Sequence, residues 1–190
     1  VSHTPSHGPP HERPAGDSAT FGAFYEGTAE QVMATVCRMT KGDRFLAADA
    51  VQDAYLEMFR CWSKRQAHLR DDNRKYVVGI AANKVCDVYR RRQRLAELDE
   101  DLDAVSFEDD VVDRLDEHAA LSAVRELIDR QPPRRRVVVT MYFLEEVEYA
   151  DIARSVGITE STVRTQVERF FKLVKPLTDR FTDMRGGERS

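Results

Sequence analysis

Apolar residues recur every three or four positions through most of the chain, and where that rhythm stops the sequence turns polar or acidic. Between Phe21 and Leu95 the pattern is helical throughout. Leu46, Ala50, Val51, Ala54, Tyr55, Met58, Phe59 and Trp62 form one wide apolar stripe, as expected of a helix laid on a core. Asp49, Gln52, Asp53, Glu57 and Arg60 occupy much of the remaining surface. A second helix is expected to open at Asn73, a good N-cap residue, and to bury Val77, Ile80, Ala81, Val85 and Val88. It runs into Arg90, Arg91, Arg92 and Arg94. Basic residues suit the dipole of a last turn, but four arginines in five positions exceed what a cap requires.

After an interruption, Leu115, Leu121, Val124, Leu127 and Ile128 set the spacing of a further helix within Val111–Arg130. Pro132 and Pro133 break the chain and start the next one, which carries Arg134, Arg135 and Arg136 ahead of Val137–Leu144. Val137-Val138-Val139 suits a strand by propensity, but the Pro-Pro start and the helical neighbours close by favour helix. The expected fold is all-α, with two small helical domains at 21–95 and 119–184.

Composition adds a soluble globular profile, with 42% hydrophobic and 33% charged residues. No run approaches the ~18 apolar residues of a membrane span and no apolar leader segment is present, so no membrane insertion is expected. Cys37, Cys61 and Cys86 are odd in number and widely spaced within apolar-periodic segments, which predicts buried free thiols in a reducing cytoplasm. The first twenty residues, rich in Pro, Gly, Ser and His, read as a disordered tail, and Arg185–Ser190 as another. His3, His7 and His11 are spaced to chelate a metal from a helix, but Pro5, Gly8, Pro9 and Pro10 argue against that helix, so no metal is assigned. Charge is segregated. Residues 21–95 carry 14 Lys/Arg against 9 Asp/Glu, 96–118 carry one against 11, and 119–190 carry 13 against 11. Two basic blocks flanking an acidic stretch suggest a surface for a polyanion and a solvated, flexible linker at 96–118.

Tyr149–Phe170 carries the sharpest signal. Ala150, Ile152, Ala153 and Val156 form the inner face of a short helix, and Gly157 follows where a turn needs positive φ. Ile158 plugs the turn and Thr159 caps a second helix with Val163, Val167, Phe171 and Val174 inside. A small residue at the crossing, a turn glycine and a β-branched lock in register define a helix-turn-helix. The exposed face then offers Glu160, Ser161, Thr162, Arg164, Thr165, Gln166, Arg169 and Lys172 to phosphates and base edges of duplex DNA. A helical hairpin with an ordinary solvated face is the competing reading.

Three stretches, in order across the linker, resemble the extracytoplasmic-function (ECF) sigma factors of bacterial RNA polymerase, whose two helical domains are called region 2 and region 4. Asp49–Trp62 is similar to the family's D-x-x-Q-D/E-x-F helix. The resemblance implies that Asp49, Gln52, Asp53 and Leu56 face the β′ clamp while Tyr55, Phe59 and Trp62 pack inside. Tyr76–Arg91 is similar to the segment that melts the promoter and holds the −10 strand. That implies roles for Arg74, Lys75, Tyr76, Asn83, Lys84, Asp87, Arg90 and Arg91, since melted strands need stacking surfaces and cations. Tyr76 stands where the family usually has Trp, and Ala82 where it usually has Arg. The loop Ser63–Asn73 resembles the one that captures a flipped base. Tyr149–Lys172 is similar to region 4.2, which reads the −35 element; Ser161, Gln166 and Phe170 replace the usual Gly, Arg and Ala, so a shifted −35 preference is expected.

The resemblance implies a cytoplasmic factor that binds core RNA polymerase at the β′ clamp and β flap, recognises −10 and −35 promoter DNA, and is held by an anti-sigma factor. No catalytic residue or cofactor is implied. The acids cluster in the linker, and His68 and His118 lack evident partners for catalysis. A stand-alone helix-turn-helix regulator is the alternative, though it leaves the region 2 likeness without a purpose.

Overall fold

The computed structural model describes residues 15–96 and 117–187, with side chains described over 20–95 and 122–176. Among the described residues all regular structure is helical, in two units. The first holds α1 (Ala15–Glu26), α2 (Ala29–Met39), α3 (Arg44–Arg60), α4 (Trp62–Arg65) and α5 (Arg70–Ala96). The second holds α6 (Glu117–Asp129), α7 (Pro133–Phe143), α8 (Tyr149–Val156) and α9 (Glu160–Gly187). The acidic segment and the histidine tail lie, but for their ends, outside the described residues. Helix α1 begins six residues inside the segment read as a tail, extending the helix that carries Phe21 and Phe24. At the other end α9 continues through Pro176 to Gly187, three residues into the second tail.

Local chemistry explains the boundaries. Asp43 caps α3, its carboxylate accepting from the Leu46 amide at 3.0 Å. Thr28, ahead of α2, is buried and bonds both the Phe24 carbonyl (2.7 Å) and the Tyr55 hydroxyl (2.9 Å). Between α1 and α3 an aromatic cluster of Phe21, Phe24, Tyr55, Phe59 and Trp62 closes the first unit, with Phe24 and Trp62 stacked at 5.2 Å. Asn73 does not cap α5, which begins three residues earlier. It is buried and closes the preceding loop instead, accepting from the Arg65 side chain (3.1 Å) and donating to the Arg65 carbonyl (3.0 Å). Its two-sided amide satisfies groups that a cap would leave open.

The valine triplet of α7 is helical, and Val137, Val138 and Val139 are all buried. Neighbouring positions on a helix are buried together only when it is covered on several sides, and α7 lies against α2, α5, α6, α8 and α9. Helix α5 shows the same signature. Val77 with Val78, Ala81 with Ala82, and Val85 with Cys86 are paired and fully buried, because α3 packs on one side and α7 and α8 on the other. One apolar core therefore runs through both units, from Phe24 to Val167. A smaller cluster of Ile128, Val139, Phe170 and Val174 closes the second unit.

Burial also fixes cysteine chemistry. The Cys86 thiol is pushed up to about 11, chiefly by burial, whereas Cys37 and Cys61 are only partly covered. At pH 8 such a thiol holds about a hundredfold less thiolate than an ordinary one near 9. Cys86 is thus expected to resist iodoacetamide in the native protein and to react on unfolding, as peptide mass spectrometry would read. Rapid native labelling of Cys86 would contradict this packing.

Candidate nucleic-acid interface

Helices α8 and α9 form the helix-turn-helix. Gly157 ends α8 in the left-handed region (φ 67°, ψ 46°), and the Thr159 hydroxyl accepts from the Thr162 amide at 3.2 Å. Val163 is fully buried where the helices cross, beside Ile152, Ala153 and Val156. Two assignments need correction. Ala150 is exposed, lying about 200° around the helix from Ile152. Phe170, at 0% exposure, takes the inner position assigned to Phe171, which is 54% exposed. Two successive four-residue steps from Val163 overshoot by about 80°, whereas a four then a three return to the same face.

The outer face of α9 gathers the residues singled out from sequence. Glu160, Ser161, Thr162, Arg164, Thr165, Arg169 and Lys172 are exposed, and Gln166 is half-buried. Thr165 donates to the Ser161 carbonyl (2.9 Å), and the Arg164 guanidinium lies 5.6 Å from the centre of the Tyr149 ring. Such a face presents cations, hydroxyls and one amide along a rigid rod of major-groove width.

On α3, Asp49, Gln52 and Leu56 are exposed and Asp53 is half-buried, all on the face away from the core. Lys84 reaches across from α5, hydrogen-bonding Asp53 and lying 3.8 Å from Asp49. That bond to Asp53 holds the ammonium above its ordinary value. The residues assigned to −10 DNA are thus brought together along α5 but are not equally available. Asn83 and Arg91 are exposed. Tyr76 is 38% exposed, with the Arg65 guanidinium 3.9 Å over its ring. Burial raises its hydroxyl above the ordinary value, with Cys61 adding to the effect and Arg65 opposing it. Asp87 and Arg90 pair with each other at 2.6 Å.

Arg74 is buried, in a salt bridge to Glu145 of the second unit and at 2.8 Å from Asp71. Burial opposes its charge, but the bonds to Glu145 and Asp71 prevail and hold it above its ordinary value. Sequence reasoning missed Glu145, one acid in Leu144-Glu145-Glu146-Val147-Glu148, and missed Arg136. The Arg136 side chain caps the end of α2 by donating to the Met39 carbonyl (3.0 Å) and also reaches the Tyr89 hydroxyl (3.2 Å). Among the described residues no cluster of three or more His, Cys, Asp or Glu has metal-holding geometry, and no helix is long and apolar enough to cross a membrane.

Comparison with known proteins places these features. The family model "Sigma-70, region 4" matches residues 121–172, which include the whole helix-turn-helix. The chain is 27% identical over 144 residues to the ECF RNA polymerase sigma factor SigE of Mycolicibacterium smegmatis, covering 74% of this chain and 54% of that protein. It is 29% identical over 157 residues to BldN of Streptomyces coelicolor, with 80% and 57% covered. Against SigM of Bacillus subtilis it is 20% identical over 161 residues, with 85% and 96% covered; both are likewise ECF RNA polymerase sigma factors. The chain therefore spans little more than half the length of SigE and BldN. In fold it is similar to the sigma factor RpoE of Bartonella quintana, whose structure is a complex with the anti-sigma factor NepR. There the TM-score is 0.54 at 17% identity, with 84% of this chain and 96% of that one covered. Residues 121–172 thus match region 4 of the sigma-70 proteins, and the helix-turn-helix lies within that match. Along most of its length the chain is similar to ECF RNA polymerase sigma factors.

Proposed function

We propose that this chain is an alternative sigma factor that brings core RNA polymerase to promoters, acting by binding rather than catalysis in the cytoplasm. The observation that carries the reading is the exposed polar face of α9, set beyond a left-handed glycine turn, in one chain with the carboxylate-bearing face of α3. Residues 21–95 serve as region 2 and 119–184 as region 4. Asp49, Gln52, Asp53 and Leu56 dock on the β′ clamp, and region 4 meets the β flap. Tyr76, Asn83 and the cations of α5 hold the melted −10 strand. Glu160, Ser161, Thr162, Arg164, Thr165, Gln166, Arg169 and Lys172 read −35 duplex. An anti-sigma factor is its inhibitory partner, in keeping with the complex of RpoE and NepR.

The test is gel filtration with core bacterial polymerase, followed by promoter-directed transcription. A stable complex with defined start sites is the expected result. Duplex binding by the free chain without any polymerase complex would instead favour a stand-alone regulator. Asp53→Ala is expected to weaken polymerase association about tenfold, of the order of one desolvated charged contact, while −35 duplex binding is unchanged. Loss of duplex binding with intact polymerase association would reverse the assignment of faces.

A further inference from the structure

We propose that Tyr149 is a positioning residue for DNA reading, its ring holding the Arg164 guanidinium in the orientation that meets a base edge of duplex DNA. The inference rests on the −35 role proposed for α9 and adds to it a residue of the other helix of the motif. Tyr149 opens α8 and is half-buried. Tyr142 of α7 stacks on its ring at 5.1 Å and 30° and hydrogen-bonds with its hydroxyl. Phe143 meets Tyr142 edge-on at 4.9 Å and rests in turn on the fully buried Phe170 at 5.1 Å. A chain of ring contacts therefore ties Tyr149 to the core of the second unit. Over this fixed ring lies the Arg164 guanidinium, 5.6 Å from its centre, within the ~6 Å at which a cation is drawn to an aromatic face.

The choice of a ring as anchor matters for a residue that must read a base. Arg164 is a long, exposed side chain, and ordering such a chain on DNA costs rotamer entropy unless something orders it beforehand. Glu160 and Glu168 stand one turn away on either side, at the spacing where charged side chains pair on a helix. The guanidinium nevertheless lies over Tyr149. A carboxylate partner would occupy the same N–H donors that a base edge needs, and that pairing would have to break on binding. A ring engages the charge through its π face and leaves those donors free. Because Tyr149 sits on α8, the direction of Arg164 is set by a neighbouring element as well as by its own rotamer.

A double-mutant cycle on the full chain tests this, with a duplex drawn from a randomised pool by the wild-type protein as the probe. The base pair read by Arg164 is the one at which Arg164→Ala relaxes the preference. Tyr149→Leu is expected to lower affinity for the selected duplex about two- to fivefold and to narrow discrimination at that same pair. Its salt dependence should match wild type, since no phosphate contact is lost. Tyr149→Phe keeps the ring and should keep the discrimination. In an Arg164→Ala background, Tyr149→Leu should cost nothing further. An equal loss in both backgrounds would mean that Tyr149 only supports the fold, and a shallower salt slope that it grips a phosphate itself; either overturns the proposal. So does a Tyr149→Phe variant as weak as Tyr149→Leu. Unchanged duplex binding by Arg164→Ala would remove the −35 assignment and this inference with it, whereas weaker binding without coupling to Tyr149 sinks the inference alone.

Discussion

Glu145→Ala is expected to split one cooperative unfolding transition into two and to expand the molecule. The substitution leaves the Thr35 hydroxyl and part of the Arg74 guanidinium without partners in a site shut off from water. Breaking a buried ion pair from one side typically costs about 3–5 kcal/mol, and Asp71, still 2.8 Å from Arg74, sets the value toward the lower end. Parting of the units brings both stranded groups to water at the cost of exposing the apolar face that α5 shares with α7 and α8, and loss of the buried pair shifts that balance toward separation. Calorimetry should therefore show the second unit melting separately, and small-angle scattering a larger radius of gyration. A single transition at lower temperature with no expansion would mean that Glu145 merely completes a shared core.

Val163→Asp is expected to abolish −35 duplex binding by unfolding the helix-turn-helix, whereas its neighbour Arg164→Ala weakens binding and leaves stability unchanged. Val163 is fully buried at the crossing of α8 and α9. A carboxylate there falls within a buried apolar cluster, and its burial costs several kcal/mol, a large fraction of the stability of one small unit. Arg164, one step on and about 100° around the helix, is exposed, and losing one base or phosphate contact there is worth about 1–3 kcal/mol, or roughly 5- to 150-fold in affinity. Circular dichroism and duplex titration of the two variants separate folding from recognition. A folded Val163→Asp that still binds would place the recognition helix elsewhere.

The helix-turn-helix was legible in sequence because its determinants are local. Gly157 answers to its own φ, Thr159 to an amide three residues on, and Val163 to the crossing directly beneath it. Packing between the units was not legible. Periodicity records that a face is buried but not against what, so it pointed to Val77, Ile80, Ala81, Val85 and Val88 and not to Val78, Ala82 and Cys86, which form a second buried face of α5. Glu145 stood among other acids of the α7–α8 turn, and only its partners 110 and 71 residues away distinguish it. Arg136 was similarly hidden among three consecutive arginines. Phe170 and Phe171 differ by one step of a helix, a margin that counting by fours cannot resolve.

Lys84 occupies a position with consequences for the order of events at a promoter. It bridges to Asp53 and Asp49 on the face assigned to polymerase, yet it adjoins Asn83 on the face assigned to DNA. A partner that takes Asp53 must strip it from this ammonium. Pairs this exposed are worth only about 0–1 kcal/mol, so the exchange meets little resistance. Under the proposed assignment of the two faces, docking at one would deliver a freed cation to the other, and the chain would become a better ligand for a DNA strand once claimed by the enzyme that opens it.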